Sequence, residues 1–337
     1  MLTPTETAAL DRAAALAARG RATVFPNPPV GCVVLDSAGA LAGSGWHRQA
    51  GTEHAEILAL AEAGDRARGG TAIVTLEPCR HHGRTPPCHS ALLEAGVARV
   101  IYAVADPTAV AGGGGAALAE AGVSVVGPVD HDPTRRLLEP WLTVQRTGRP
   151  YVHLKLATSV DGRVAAADGT SRWISGESSR HEAHALRADC DAVLVGTATV
   201  IADDPELTVR HVASQRQPLR VALGIRDLPA DAKIFNSDAP TLHLRTHDVK
   251  SALADLIDRG VGSVLVEGGP IVAGAFLAAG AVDRITVFAA PLVLGAGSQA
   301  VADAGVSTLP DGIRFDIDDV HRSGEDVVIS GLVRRAD

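Results

Sequence analysis

The sequence is poor in aromatic residues, which make up 3% of its 337 positions, and it contains one methionine and four cysteines. Small aliphatic residues, mainly alanine, valine and leucine, must therefore fill the cores of a chain that is 46% hydrophobic. Four cysteines in a chain of this size do not make a disulfide framework, so we expect a reduced, cytoplasmic protein. The length fits two domains better than one.

Positive charge is also scarce. Lysine and arginine number 31 against 39 aspartates and glutamates, which gives a formal net charge of −8. This balance argues against a protein that binds nucleic acid, because such binding needs a basic face. A phosphorylated small molecule stays possible, since one phosphate needs only a local cluster of arginine, histidine or backbone N–H groups.

Long apolar runs are missing as well. No stretch reaches the length of a membrane-spanning helix. Residues 1–20 contain early acids and lack the basic start and apolar block of a signal peptide. We therefore expect no membrane partner, and the sequence leaves the possibility of a homo-oligomer open.

Short apolar runs alternate with helical stretches along the whole chain. Thr71 to Leu76 is typical of the strands, and the alternation indicates an α/β architecture with largely parallel sheets. A polar helix, Thr134 to Arg146, ends at the breaker sequence Thr147 to Pro150, after which the alternation starts again. Because no repeat of fixed period is visible, we predict two different domains, 1–146 and 149–337.

Three potential metal ligands lie in the first half. His54 opens a predicted helix, Cys79 follows the strand that ends at Leu76, and eight residues separate Cys79 from Cys88. One histidine and two cysteines suit zinc, and a fourth position left to water is typical of catalytic zinc. Zinc lowers the pKa of bound water toward neutrality. Glu56 would then move a proton from that water to a departing amine, as in the zinc deaminases.

The spacing alone leaves other readings of these residues open. Positions i and i+2 of a helix lie ~200° apart, so His54 and Glu56 can converge only at a helix start that faces a cleft. The separation of Cys79 from Cys88 exceeds the usual Cys-x-x-Cys spacing. A structural zinc site, or two unrelated cysteines, would also account for the ligands taken singly.

A longer pattern resembles one family. The string EPCRHHGRTPPC over residues 77–88 is similar to a loop of the riboflavin-pathway deaminases, and residues 26–32 and 45–47 match in order and spacing. The resemblance continues through the second half. It identifies the chain as a member of the family of bifunctional diaminohydroxyphosphoribosylaminopyrimidine deaminases and 5-amino-6-(5-phosphoribosylamino)uracil reductases. It implies a cytidine-deaminase-like three-layer domain followed by a dihydrofolate-reductase-like domain.

The resemblance implies roles for residues of the first half. His54, Cys79 and Cys88 become zinc ligands, and Glu56 becomes the catalytic proton shuttle. Asn27 resembles a pocket residue that orients the pyrimidine ring. Contacts to the ribose phosphate fall on a loop that could equally be a solvated polar segment, namely His81, His82 and Arg84.

Two glycine-rich turns invite a nucleotide-binding interpretation. Gly112 to Gly115 follows a strand, but it lacks the G-x-G-x-x-G spacing and the acid at the end of the next strand, so we interpret it as a turn. The segment from Val264 to Gly274 is the better candidate. There a buried strand ends in Glu267, two glycines follow, and Pro270 occupies the favoured first position of a helix.

The reductase half of the same family gives this segment its context. Residues 155–163, 171–174 and 202–210 follow in family order. The resemblance implies NADPH as cofactor, bound at Ala157, Trp173, Thr199, Asp203, Gly269, Pro270, Ile271, Val272, Ala273, Gly274 and Ala275. It implies substrate binding at Ser171, Arg187, Leu207, Arg210 and Glu267.

Lys155 is a further catalytic hypothesis. It lies on an apolar strand in a chain with only three lysines, and a compact ammonium suits proton delivery better than a guanidinium does. Two segments depart from the family pattern. Asp106 to Ala109 replaces an Asp-Pro-Asn-Pro run, and Leu223 to Ile225 stands where an Asp-Ser pair is usual.

The sequence thus predicts an enzyme that deaminates a phosphorylated pyrimidine and then reduces its ribosyl group to a ribityl chain with NADPH. A nucleobase or tRNA deaminase with an appended binding domain is the alternative, but it requires a basic groove that the net charge of −8 does not favour. A non-catalytic zinc scaffold is the third hypothesis, and Glu56 beside a three-ligand site argues against it.

Overall fold

The structure is a computed structural model that describes residues 2–81, 87–214 and 216–334. By its internal contacts the chain divides into two compact units, Met1–Gly148 and Arg149–Asp337. Each unit has its own sheet. Over the described ranges, no helix combines the length and the apolar character needed to cross a membrane.

The first unit alternates helices and strands, as predicted. Its elements are α1 (Pro4–Ala18), β1 (Gly31–Leu35), β2 (Leu41–Trp46), α2 (Ala55–Ala63), β3 (Thr71–Leu76), α3 (Cys88–Glu94), β4 (Arg99–Val104), α4 (Gly114–Glu120), β5 (Ser124–Val126) and α5 (Asp132–Thr147). A short 3₁₀ turn, Gly64–Ala67, follows α2.

The sheet of the first unit has the order β2-β1-β3-β4-β5. The strands β3, β4 and β5 are parallel, whereas β1 runs antiparallel to both of its neighbours. This sheet is therefore more mixed than the alternation indicated, because the β1–β2 hairpin contributes antiparallel pairs. Asp36 closes that hairpin by accepting the backbone N–H groups of Ala38 and Ala40.

Helices cover both faces of this sheet, which confirms the three-layer prediction. Successive strand residues point to opposite faces. Cys32 and Val34 pack against α2 and α4 on one side, while Val33 and Leu35 pack against α1 on the other. Small side chains make this close packing possible in a chain with few aromatic residues. The start of α2 is thereby fixed against the sheet.

The second unit restarts the alternation at Tyr151. Its elements are β6 (Tyr151–Ser159), α6 (Glu177–Asp189), β7 (Ala192–Gly196), α7 (Thr197–Asp203), β8 (Leu219–Leu223), β9 (Thr241–Leu244), α8 (Val249–Asp258), β10 (Ser263–Val266), α9 (Pro270–Ala278), β11 (Arg284–Ala290), β12 (Phe315–Ser323) and β13 (Asp326–Val333).

The sheet of the second unit has the order β12-β13-β11-β6-β10-β7-β8-β9. From β11 to β9 all neighbouring strands are parallel, as predicted. The antiparallel pairs of this sheet are β11–β13 and β12–β13. Val152, Leu154, Val264 and Val266 lie in its largest core. Ligand sites of such sheets lie at the carboxyl ends of the parallel strands. Glu267 and the start of α7 directly follow β10 and β7, and Lys155 lies within β6, one residue beyond the Leu154–Val266 pair.

Candidate active sites

The three predicted metal ligands come together in the first unit. His54 is the N-cap of α2 with extended backbone, Cys79 follows β3, and Cys88 is the first residue of α3. Their ligand atoms all lie within 4.8 Å of one another. His54 Nδ1 lies 3.2 Å from Cys88 Sγ and 3.6 Å from Cys79 Sγ. One imidazole and two thiols at this separation fit a zinc ion.

Glu56 lies beside these ligands in the first turn of α2. Because His54 precedes the helix proper, the two side chains avoid the divergence that a regular helix would impose. Glycine in β2 lets α2 approach closely, since a Cβ on Gly45 would lie 2.6 Å from the Ala55 carbonyl oxygen. The Glu56 side chain is buried, with 3% of the residue exposed.

The two cysteines of this cluster have pKa values that are shifted in opposite directions. A hydrogen bond from Cys88, aided by one from His54, lowers the pKa of Cys79 to about 4, against the opposing effect of burial. The hydrogen bond to Cys79, together with burial, raises the pKa of the Cys88 thiol. Burial also raises the pKa of Glu56, which His54 partly offsets. A raised pKa moves the Glu56 carboxyl toward the range in which general acids and bases work best.

A cavity of about 420 Å³ opens onto the cluster. Asn27 lines it and donates from Nδ2 to Nε2 of His47 over 3.0 Å. His47 Nδ1 in turn donates to the Glu53 carbonyl at 3.0 Å. Burial lowers the pKa of His47, so its ring remains neutral with the proton on Nδ1. The Asn27 amide is thus held in one orientation at the cavity wall.

Glu77 fixes the segment that carries Cys79. Its buried carboxylate accepts the backbone N–H groups of Asp106, Gly113 and Gly115 at 3.1, 3.2 and 2.9 Å. A Cβ on Gly114 would come within 1.8 Å of the Pro78 carbonyl oxygen. The glycine run is therefore close-packed, its last two residues begin α4, and it supports the metal-ligand loop.

The predicted phosphate loop is described in part. His81 lines the cavity, and its buried Nδ1 has no hydrogen-bond partner in the described part of the chain. His82 and Arg84 lie outside the described residues.

In the second unit the predicted substrate residues form an ion-pair network. Arg187 on α6 donates from Nε and Nη2 to the two carboxylate oxygens of Glu267, at 2.5 and 3.0 Å. Lys155 Nζ lies 3.6 Å from the same carboxylate. Burial raises the pKa of Glu267, but the charges of Arg187 and Lys155 dominate and lower it to about 2. The Glu267 carboxylate therefore stays ionised at neutral pH.

Two of the other predicted substrate residues, Leu207 and Arg210, lie on the segment that Arg187 contacts. Arg187 Nη1 donates to the Thr208 carbonyl at 3.1 Å. Leu207 directly precedes Thr208 in the chain, and Arg210 lies two residues after it. Leu207 is buried, whereas the half-exposed Arg210 guanidinium is hydrogen-bonded to Glu206 and Thr208. Ser171 precedes Arg172, which contacts the backbone of Asp203.

Several predicted cofactor residues lie on the loops that follow parallel strands. The Gly269 N–H donates to Thr199 Oγ1 at 3.3 Å, which joins the start of α9 to α7. Asp203 ends α7, and its carbonyl accepts a hydrogen bond from Arg172, the neighbour of Trp173. The Trp173 ring is 70% exposed and lies 4.7 Å from the Arg180 guanidinium. These contacts fit a dinucleotide at the carboxyl edge of the sheet.

The predicted segment 269–275 divides into two parts. Gly269 and Pro270 begin α9, and Ile271 is 73% exposed, so this start is accessible to a ligand. Val272 packs against the core, Ala273 is fully buried, and a Cβ on Gly274 would lie 2.5 Å from the Asp303 carbonyl oxygen. The later positions therefore pack inward because an α-helix turns its side chains to different faces. Ala275 packs against the same core, and Ala157 lies on β6 opposite Phe288.

Sequence reasoning missed several residues of these sites. His47 belongs to the family pattern of residues 45–47, but that pattern does not show that its ring holds the Asn27 amide. Glu77 carried a detectable signal, an acid directly after a buried strand and before a metal ligand. Asp106 also lines the cavity, despite the shortened family pattern at that point. His184, which contacts the Arg210 backbone, gave no signal beyond its position in a helix.

Family models match both halves of the chain. Residues 4–104 match the cytidine and deoxycytidylate deaminase zinc-binding region, which includes all three predicted ligands. Residues 150–329 match the RibD C-terminal domain. The two matches fall on opposite sides of the boundary between the compact units.

Whole-chain comparisons give the same result. The riboflavin biosynthesis protein RibD of Mycobacterium tuberculosis is 48% identical over 318 residues, which cover 93% of each chain. RibD of Escherichia coli is 38% identical and covers 94% of this chain and 96% of its own. A deaminase/reductase structure from Thermotoga maritima superposes with a TM-score of 0.89 at 32% identity, covering 98% of this chain and 99% of that one. The chain therefore belongs to the RibD family of riboflavin biosynthesis proteins, and it is a bifunctional deaminase and reductase.

Proposed function

We propose that the first unit deaminates 2,5-diamino-6-ribosylamino-4(3H)-pyrimidinone 5-phosphate and that the second unit reduces the ribosyl group of the product to a ribityl chain. The observation that carries the first step is the convergence of His54, Cys79 and Cys88 beside the buried Glu56. The second step is supported by the ionised network of Glu267, Arg187 and Lys155 at the carboxyl edge of a parallel sheet.

In the deaminase, His54, Cys79 and Cys88 would hold the zinc. When bound, zinc supplies a Lewis acid that activates water near neutral pH. Glu56 accepts a proton from the attacking water and delivers it to the departing amino nitrogen, which leaves as ammonia. Asn27, fixed by His47, orients the pyrimidine ring in the cavity, and the loop with His81, His82 and Arg84 meets the ribose phosphate.

In the reductase, NADPH is the cofactor and supplies a hydride to the ribosyl carbon. Trp173, Thr199, Asp203 and the start of α9 hold it, with exposed side chains at Trp173 and Ile271. Arg187, Glu267, Arg210, Leu207 and Ser171 bind the substrate. Lys155, 3.6 Å from Glu267, is the proposed donor of the proton that the ribosyl ring oxygen takes up when the ring opens.

The alternative of a nucleobase or tRNA deaminase finds no support, because the RibD relatives match both halves of the chain. The proposed partner is thus a small phosphorylated pyrimidine and no nucleic acid. Analytical ultracentrifugation would measure whether the protein also self-associates. A cytoplasmic location agrees with two cysteines that serve as metal ligands and must stay reduced.

The proposed function is tested by separating its two steps. The wild-type protein is supplied with the diaminopyrimidine phosphate, first without and then with NADPH, and ammonia and NADPH absorbance are followed. We expect ammonia release in both cases and NADPH oxidation only after deamination. Oxidation of NADPH without ammonia release, or ammonia release from cytidine alone, would contradict the proposed substrate.

Removal of one metal ligand tests the zinc site. The wild-type protein should carry about one zinc per chain, and Cys79→Ser or Cys88→Ser should lose it together with deaminase activity. Cys190→Ser is the control, because this buried cysteine lies in the second unit. Metal analysis of the purified variants provides the measurement. Full zinc retention in both ligand variants would rule out the assignment.

Each unit should fold and act on its own. The helix α5 ends at Thr147 with Gly148 as a left-handed C-cap, so a cut after Gly148 leaves the helix complete. We expect fragment 1–148 to bind zinc and release ammonia, and fragment 149–337 to oxidise NADPH with deaminated substrate. Circular dichroism and the two assays check this. Unfolded fragments would show that the predicted domains, 1–146 and 149–337, depend on each other.

A further inference from the structure

The segment 204–211, between α7 and β8, carries two of the proposed substrate residues without belonging to a helix or strand. Within it, Leu207 and His211 adopt left-handed backbone with φ of 54° and 67°. This conformation is disfavoured for residues other than glycine. The surrounding structure must therefore hold the segment in place.

Side chains from other parts of the second unit provide that support by hydrogen bonding to the backbone of the segment. The bonds run from Arg220 Nη1 to the Glu206 carbonyl (3.3 Å), from Arg187 Nη1 to the Thr208 carbonyl (3.1 Å), from the Val209 N–H to Gln217 Oε1 (2.7 Å), from Gln217 Nε2 to the Val209 carbonyl (3.0 Å) and from the Arg210 N–H to His184 Nδ1 (3.1 Å).

Two of these side chains lie on the same helix. His184 and Arg187 are three residues apart on α6, so they point from one face of it. Arg187 meets the carbonyl of Thr208, and His184 meets the N–H of Arg210. Helix α6 thus fixes the segment on both sides of Val209, while Arg187 also binds Glu267.

His184 is suited to accept a hydrogen bond. Only 7% of the residue is exposed. Burial, aided by the charges of Arg187 and Arg210, lowers the pKa of His184 to about 4. The ring is therefore neutral at pH 7, with the proton on Nε2 and a free electron pair on Nδ1.

We infer that His184 is a positioning residue of the reductase: by accepting the Arg210 N–H, it holds Leu207 and Arg210 where they meet the substrate. The inference rests on the proposed function of the second unit. Loss of the acceptor leaves the part-buried Arg210 N–H without its partner. The segment then relaxes, which weakens binding of the pyrimidine phosphate but leaves the NADPH contacts on α7 and α9 in place.

The test compares His184→Leu with His184→Asn in the full-length protein. Asparagine Oδ1, like Nδ1, is bonded to Cγ and can accept the same N–H, whereas leucine cannot. We expect His184→Leu to raise KM for the deaminated pyrimidine phosphate about tenfold, as for one lost buried hydrogen bond. Its kcat and KM for NADPH should stay within about twofold of wild type, and His184→Asn should recover most of the lost affinity. The matched control is His247→Leu, an exposed histidine between β9 and α8.

The outcomes separate this inference from the proposed function. A wild-type protein that does not oxidise NADPH with deaminated substrate would overturn both. Given an active wild type, an unchanged KM in His184→Leu, an equal rise in both KM values, or no recovery in His184→Asn would overturn the inference alone. If His184→Leu does not fold, His184→Ala replaces it, and a folded His184→Asn with weakened substrate binding still contradicts the role.

Discussion

Replacement of Glu56 by glutamine is expected to abolish deamination while zinc remains bound. The buried carboxylate would be used twice, once to accept a proton and once to deliver it, and glutamine can do neither. General acid–base catalysis alone contributes ~10²–10⁴ in rate, so we expect a loss of at least this size in ammonia release. The three ligand side chains are unchanged in the variant, so its zinc content should equal that of wild type.

Two controls make this result specific. Reduction of chemically deaminated substrate should proceed at the wild-type rate, because the proposed reductase residues lie in the second unit. Glu53→Gln removes an exposed carboxylate just before His54 and should leave ammonia release unchanged. Near-normal deamination by Glu56→Gln, or loss of its zinc, would show that Glu56 is not the proton shuttle.

Replacement of Glu267 by glutamine is expected to damage the second unit in both stability and activity. The substitution keeps the shape but leaves Arg187 and Lys155 without their shared counter-charge. Breaking a buried ion pair from one side typically costs ~3–5 kcal/mol. We expect a loss of this order in the free energy of unfolding and a fall in reductase kcat/KM of ~10–100-fold, as for a lost charge-assisted hydrogen bond.

The pH dependence of stability gives this prediction a second readout. The folded pKa of Glu267 is lowered to about 2 from its ordinary value of 4.5. Its contribution to stability is therefore complete above about pH 4.5 and is lost as the pH falls toward 2. Glu267→Gln should flatten the unfolding profile in this range, whereas Glu182→Gln, at an exposed pair on α6, should not. A Glu267→Gln unfolding profile that matches that of wild type would contradict the proposed ion-pair network.

The sequence predicted most of the fold because the buried strands are short, apolar and bounded by turn residues. The strand predicted from Thr71 to Leu76 has these same bounds in the structure. The missed elements lack such signals. Residues 197–203 of α7 are rich in β-branched side chains, which disfavour helix. Strand β12 is acidic and largely exposed at the sheet edge, where alternation is weak.

The candidate sites were predictable only where chemistry leaves a pattern in the sequence. His54, Cys79 and Cys88 are zinc-ligand residue types, the two cysteines within a string that resembles one family, and the structure brings the three together. His47 and Glu77 act through hydrogen bonds to a side chain or to backbone N–H groups far along the chain. Such partners depend on tertiary structure, so even the acid that follows a buried strand at Glu77 does not reveal which N–H groups it binds.

The position of β6 has a consequence for the order in which the chain can fold. This strand is the first of the second unit, yet its neighbours are β10 and β11, so that Tyr151 pairs with Ser263 and Lys155 with Thr286. In the first unit, by contrast, Cys32 pairs with Gly45 and Val74. Pairing over long sequence separations slows folding. During synthesis the deaminase sheet can therefore form soon after its strands are made. The strand β6 can pair with β10 only after more than a hundred further residues have been added, and the reductase core cannot form before then.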